Sequence, residues 1–448
     1  MDEKIDFIRE NYNDFEQLLT QLVAFRSVSN NDDDMTDCIE FLQELLVRML
    51  QATVSVIRTS GAPTIVANVA GQSDETVLFY GHYDTMPSGP IDLWKTDPFN
   101  LTFIDGRYFG RGVGDNKGQL LAQILGIYTY KKVYGNLPCN IVFLIEGEEE
   151  KGSVNLPETV EQLRTSLLRK VDLAIVVDGS INQGGDHVLR LGNRGVFGFE
   201  ISVVTGKSDN HSGNAGNIMD SAAGKIIATL SKLYDFTEHK VMIPNFYNGV
   251  PQHAEIDLNS LMKLPYDQNK IMTQMGLKEI PSKIEFYERL MYQPTFNIAG
   301  ISSGYTEKGL KTVIPHTANV KIDCRLVGNQ SIEAIKQGIE KKLATDLNSG
   351  EVSIKYLVET PPSTTKMSDS EVNLITSAIE TATGSVLVEP VMAGTVPNYV
   401  WTNILKVPVV TIPYANYDQH NHAPNENLTR DNFIDGIKIS YELIKIFE

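Results

Sequence analysis

Residues 76–84 read Thr76-Val77-Leu78-Phe79-Tyr80-Gly81-His82-Tyr83-Asp84. The run Val77–Tyr80 is apolar without alternation, as expected of a strand buried on both faces of a sheet. It then stops at a glycine followed by an imidazole and a carboxylate. The same grammar recurs downstream. Asn140–Ile145 runs into Glu146-Gly147-Glu148-Glu149-Glu150, and Leu173–Val177 runs into Asp178. Val407–Thr411 is followed, after a loop, by His420-Asn421-His422. In open α/β sheets, ligands bind beyond the carboxyl ends of the strands. Four such ends here carry imidazole or carboxylate. A fifth group, Asp115, lies in the glycine-rich turn Gly110–Gly118.

Outward from these strands, helical spacing appears at Phe15, Leu18, Leu19, Leu22 and Val23, and again at Ile39, Leu42, Leu45 and Met49. Strands are expected at Val54–Ile57 and Thr64–Val69, and helices at Gly118–Tyr130 and Leu156–Leu168. Alternating strands and helices predict an α/β domain with a largely parallel sheet. The style changes near Gly195. Strand Phe197–Val204, helix Ile218–Tyr234, strands Thr295–Ile301 and Thr312–Leu326, helix Ser331–Leu343 and strand Val352–Val358 follow in β-α-β-β-α-β order, the ferredoxin-like pattern. After Pro361–Pro362 the α/β style returns with helices Ser370–Thr383 and Arg430–Phe447. The expected organisation is a catalytic domain in two pieces, 1–195 and 361–448, interrupted by a smaller inserted domain at 196–360. The segment from about 235 to 294 has no evident place in this scheme.

The 448 residues are 42% hydrophobic and 21% charged, ordinary globular values that exclude wholesale disorder. The formal net charge of −17 argues against nucleic acid or an anionic membrane as the main partner, since both select for Lys/Arg patches. Cys38, Cys139 and Cys324 are too few and too scattered for a disulfide framework or a CxxC zinc site, which predicts a reducing, cytoplasmic setting. The charged stretch MDEKIDFIRENYNDF does not read as a signal peptide, and no apolar run approaches the ~20 residues needed to span a bilayer.

Taken singly, each chemical group has an ordinary explanation. His82 could be a satisfied loop histidine, Glu148–Glu150 a solvated turn, Asp178 a helix cap, and Gly110–Gly118 a phosphate-binding turn. A dinucleotide fingerprint would open directly into a helix after the first strand, whereas here Asp115 and Lys117 occupy the turn and several strands precede it. Collected at successive strand ends, several carboxylates would repel one another and resist ionisation. A divalent cation relieves that repulsion. Two histidines and three carboxylates, one of them bridging, suit a pair of zinc ions ~3.5–4 Å apart, and ligation without thiolate suits Mn²⁺ or Co²⁺ as well.

The sequence resembles the co-catalytic zinc peptidase family of carnosinase-type dipeptidases, glutamate carboxypeptidases, aminoacylases and succinyl-diaminopimelate desuccinylase. The likeness runs through Gly81–Asp84, Leu93–Phe99, Gly110–Gly118, Glu146–Ser153, Asp178, His211–Gly213, Lys311–Pro315, Asp323–Val327 and His422–Glu426, in the family's order and over nearly the whole chain. It implies a zinc-peptidase-like α/β catalytic domain with an inserted lid used for dimerisation. It implies that His82 and Asp178 hold one metal ion, Glu150 and His422 the other, and that Asp115 bridges. Asp84 would fix the tautomer of His82. Glu149 would be the general base, moving a proton from a metal-bridging water to the leaving nitrogen.

In the same resemblance His211 reaches the partner subunit's site in a homodimer, Arg325 grips a substrate carboxylate, and Gly394 and Thr395 line that end of the substrate. The expected activity is a dipeptidase or aminopeptidase acting on small peptides. The alternative is hydrolysis of N-acyl amino acids or another non-peptide amide by the same centre. The Leu93–Phe99 stretch and aspartate at position 178 favour the dipeptidase branch. Ala215-Gly216-Asn217, Ala393-Gly394-Thr395 and Lys151 depart from that branch's usual residues around the substrate.

Overall fold

The computed structural model describes residues 3–29 and 32–448. Six strands of the large sheet come first: β1 (Thr53–Ile57), β2 (Thr64–Val69), β3 (Thr76–His82), β4 (Asn140–Glu146), β5 (Leu173–Val176) and β6 (His187–Arg190). Four more form a separate sheet: β7 (Gly195–Val204), β8 (Asn297–Ser303), β9 (Thr317–Leu326) and β10 (Val352–Thr360). Two last strands, β11 (Val386–Glu389) and β12 (Val409–Thr411), return to the first sheet.

The large sheet has the order β1-β2-β4-β3-β5-β12-β6-β11. Its centre, β4-β3-β5-β12, is parallel, as is β11 on β6. The pairs β1/β2, β2/β4 and β12/β6 are antiparallel. In the parallel register, His82 stands opposite Glu146, and Tyr80 opposite both Leu144 and Val176. The carboxyl ends of the central strands therefore finish together.

Alternation along β3 divides two cores. Val77 and Phe79 point into the large cluster under the helices Tyr12–Ala24 (α1), Asp32–Leu50 (α2), Lys117–Tyr134 (α3), Asp369–Thr383 (α7) and Arg430–Lys445 (α8). Leu78 and Tyr80 point to the other face, against Trp401 and helix Leu156–Leu163 (α4). This two-faced burial is why the strands read as continuous apolar runs. Helix α3 is buried on nearly every side, and α8 crosses it closely at Gly126. A Cβ there would fall 2.4 Å from Ser440 Cβ and 2.5 Å from the Ile437 carbonyl.

The small sheet, ordered β8-β9-β7-β10, is wholly antiparallel and packs its inner face (Phe197, Phe199, Ile201, Val320, Ile322) on helices Ala222–Leu233 (α5) and Ile332–Lys342 (α6). Residues 235–294, between α5 and β8, form three short helices (Leu258–Lys263, Gln268–Met275, Lys283–Tyr292) around Ile256, Leu261, Leu264 and Met291.

Several expected boundaries move. The helix expected from Ile218 starts at Ala222, where the Ser221 side chain caps Gly224 N–H. The helix expected to reach Leu168 ends at Leu163. The strand expected over Thr312–Leu326 is split around Pro315: Val313–Ile314 pairs with Asn210–His211 in a separate ribbon, and β9 begins at Thr317. Proline has no N–H to offer a ladder. No helix among the described residues is long and apolar enough to cross a membrane.

Candidate metal centre

The chemistry of the sequence collects at the carboxyl edge of β3, β4 and β5. One ligand atom each from His82, Asp115 and Asp178 lie within 4.8 Å of one another, and so do those of Asp115, Glu150 and His422. Asp115 belongs to both groups. His82 Nε2 is 3.1 Å from Asp115 Oδ1, while His422 Nε2 is 3.2 Å from Asp115 Oδ2 and 2.9 Å from Glu150 Oε2. His420, two residues earlier, is exposed and among the described residues takes no part.

Each of these side chains is aimed by a neighbour. Asp84 is fully buried behind His82, with Oδ1 3.2 Å from His82 Nδ1. The same carboxylate accepts the N–H groups of Glu149 (3.2 Å) and Glu150 (3.1 Å) and the hydroxyl of Ser29 (2.7 Å). One acid thus orients an imidazole and the turn carrying two glutamates. Asp178 accepts Gly179 N–H at 2.6 Å and Asn116 Nδ2 at 3.3 Å. Met86 N–H donates to Glu150 Oε1 at 3.1 Å, and Asn421 Nδ2 to Asp115 Oδ2 at 3.3 Å. His422 sits at φ +57°, a left-handed conformation uncommon for a residue with a Cβ and frequent at functional sites.

Electrostatics mark the cluster as short of positive charge. Burial and the charge of Asp115 push Asp178 up to about 6. Burial and then Asp178 raise Glu149 well above the usual carboxylate range. Burial disfavours a charged His82, yet hydrogen bonds to Asp115 and Asp84 outweigh it and raise its pKa well above normal. Contacts with Asp115 and Glu150 lift His422 to about 10. Asp115 is held low: burial acts against its charge, and the two histidines overcome it. Glu150 Oε2 is buried and faces His422 Nε2 at 2.9 Å. Oxygen and imidazole donors converging in two groups that share one carboxylate fit two divalent cations. Glu149 belongs to neither group. Its Oε2 stands 4.0 Å from His82 Nε2, and its side chain keeps 21% exposure, the freedom a proton carrier needs.

The other residues singled out from sequence lie apart. Arg325, on β9, donates from Nη1 to Thr395 Oγ1 at 2.8 Å, so the inserted sheet meets the Ala393–Thr395 loop directly. Gly394 lies in that loop beside Met392. His211 is exposed on its ribbon; its Nδ1 accepts Gly213 N–H and its Nε2 meets Thr312 Oγ1, each at 3.0 Å. None of its contacts involves the cluster. Two residues of this region received no role from the sequence. Arg194 is buried, donates from Nε to the Ala393 carbonyl at 2.7 Å and is depressed to about 10 by burial and by Arg325. Glu426 is fully buried against the Asp115 turn. It closes the His422–Glu426 stretch of the likeness, which is the signal that could have given it a role.

A family model described as "Peptidase family M20/M25/M40" matches residues 78–446. The human Beta-Ala-His dipeptidase is 29% identical, over 98% of this chain and 91% of the human protein. The Cys-Gly metallodipeptidase dug1 of Schizosaccharomyces pombe is 28% identical, over 84% of this chain and 81% of its own. Among solved structures, the M20 family metallo-carboxypeptidase Sso-CP2 of Sulfolobus solfataricus superposes with a TM-score of 0.86 at 29% identity, covering 100% of this chain and 99% of that one.

Proposed function

The chain belongs to peptidase family M20/M25/M40, and from that premise we propose that it is a metal-dependent dipeptidase. The observation that carries this reading is the pair of three-residue groups joined through Asp115, with Glu149 beside them and in neither. His82 and Asp178 would hold one ion, Glu150 and His422 the other, and Asp115 both. Bound divalent ions would polarise the scissile carbonyl and favour ionisation of the attacking water. Glu149 takes the water's proton and delivers it to the leaving nitrogen. Burial and the charge of Asp178 raise its affinity for a proton, which suits a group that must accept one from water. Asp84 accepts the Glu149 N–H and holds His82 by Nδ1, leaving Nε2 free to face the ion it would bind.

Substrate recognition falls to the inserted unit, residues 196–360. Arg325, with Thr395 and Gly394, would receive the terminal carboxylate of a short peptide; a guanidinium's planar donors match that group. The likeness to the human and fission-yeast dipeptidases supports small peptides as substrates. We read the protein as a homodimer through the inserted unit, with His211 serving the partner's site. Strand β8 supports this: it is a sheet edge, exposed along nearly its whole length, and its sequence NIAGISS has none of the charges or prolines that usually guard such edges. Zinc is the favoured ion, and a cytoplasmic location agrees with three buried, unpaired cysteines.

The test is hydrolysis of a panel of dipeptides and N-acyl amino acids by chelated and metal-replete enzyme, with metal content read by mass spectrometry. Dipeptide cleavage lost on chelation, restored by Zn²⁺, Mn²⁺ or Co²⁺, and accompanied by close to two ions per chain is the expected result. Cleavage of N-acyl amino acids alone transfers the assignment to a deacylase. Unchanged activity after verified metal removal defeats the metal mechanism.

A further inference from the structure

The turn Gly110–Gly118 has the form of an anion-binding nest, a run of backbone N–H groups facing one point. The chain fills it with its own acid. Glu426 Oε1 accepts the N–H groups of Gly114 and Asp115, each at 2.9 Å, and Oε2 accepts Gly112 N–H at 3.0 Å and Arg111 Nη1 at 2.7 Å. The main chain of Glu426 is engaged as well, its carbonyl accepting Gly110 N–H at 3.1 Å. Arg111, itself 1% exposed, lies 5.3 Å over the Trp94 ring and donates from Nη2 to the Ala423 carbonyl at 3.2 Å. Three segments that are distant in sequence, around 94, 111–115 and 422–426, are thereby tied at one carboxylate.

We infer that Glu426 is a positioning residue: it clamps the turn bearing Asp115 onto the loop bearing His422 and so sets the spacing on which both metal groups depend. The inference rests on the proposal that Asp115 is the shared ligand. Its physical basis is the donor count. Four N–H donors converge on two oxygens, and only a carboxylate offers acceptors in every direction. An amide would turn its own NH₂ against at least one of them. The clamp acts on the ligand itself, since one donor is the backbone of Asp115. The turn cannot be rebuilt cheaply around another residue. Gly112 sits at φ +82°, and a Cβ on Gly118 would fall 2.2 Å from the Val113 carbonyl.

The experiment titrates Zn²⁺ into metal-free Glu426→Gln and Glu426→Asp by competition with a chromophoric chelator, with Gly126→Ala as a control that perturbs helix packing away from the centre. Glu426→Gln is expected to weaken zinc binding 10–100-fold, the range typical of groups that orient metal ligands, while the control binds as wild type. Wild-type affinity in Glu426→Gln, or an equal loss in the control, overturns the clamp. Asp115→Asn separates the two claims. Loss of binding there with wild-type binding in Glu426→Gln removes the clamp alone, and wild-type binding in both removes the shared-ligand assignment and the clamp with it. Should the Glu426 variants not fold, hydrogen exchange on the unaltered metal-free chain decides. Slow exchange at Gly112, Gly114 and Asp115 supports the clamp, and exchange at the rate of a free loop overturns it.

Discussion

Glu149 and Glu150 are adjacent in sequence, yet the proposed mechanism gives them opposite duties, and the difference follows from where each carboxylate points. Glu150 faces His422 at 2.9 Å, while Glu149 faces the open side of the cluster. Glu149→Gln should therefore keep its metal content, measured by mass spectrometry, and lose turnover by about 10²–10⁴-fold, the usual worth of a positioned proton carrier. A third acid of the same run, Glu146, answers to pH. Burial raises it to about 7 from 4.5, although Tyr80 and Ser153 donate to it. A carboxyl raised on folding favours the native state most below its unfolded value and loses that contribution as pH climbs through about 7. Metal-free Glu146→Gln should thus outlast the parent chain in urea at pH 8 by up to roughly 3 kcal/mol, with the gap closing toward pH 4.5. A gap that does not change with pH would contradict this account. At this scale, the candidate ligands were legible because acids and imidazoles interrupt apolar strands. Arg194 was not, and Glu426 was seen only as the end of the His422–Glu426 stretch, because a charge inside a polar loop looks like surface until the segment that buries it is known.

The elements that could be read were those with one unambiguous environment. β3, β4 and β5 are buried on both faces and helix α8 is amphipathic, so apolar pattern alone located them. β6 (HVLR) and β11 (VLVE) went unseen: four residues with charge or imidazole at an end carry too little periodicity to register, and pairing with each other makes them strands. Segment 235–294 stayed opaque because its helices are short and mostly exposed, closing on a cluster of only a few side chains. Packing between elements yields its own prediction. The α3–α8 contact leaves no space at Gly126, where the obstruction is backbone as well as side chain. Gly126→Ala gains helix propensity yet should lose about 1–3 kcal/mol through overpacking, measured as a lower unfolding midpoint in denaturant. A rise in the midpoint would mean that the two helices part more readily than their spacing implies.

For the molecule as a whole, the unguarded edge of β8 bears on assembly. If two copies join there, Ile301→Glu, at a position 56% exposed in the single chain, should convert a dimer to monomers in sedimentation. Peptide hydrolysis should fall with it, since His211 would then have no partner site to serve. A monomeric parent chain, or an unaffected dimer, would exclude β8 as the seam. The separate sheet β7–β10 was foreshadowed in the sequence, where strand style changes at Gly195 and changes back after Pro362. The order in which strands sit side by side was not, since β12 pairs with β5 across more than two hundred intervening residues. That insertion of a late strand between β5 and β6 has a bearing on biosynthesis. Until the ribosome has passed residue 411 the gap stays open, its flanking backbone unsatisfied and apt to stick to other nascent chains. On the proposed assignment of ligands, His422 emerges later still, so a half-made polypeptide lacks one of the groups its metal centre would need.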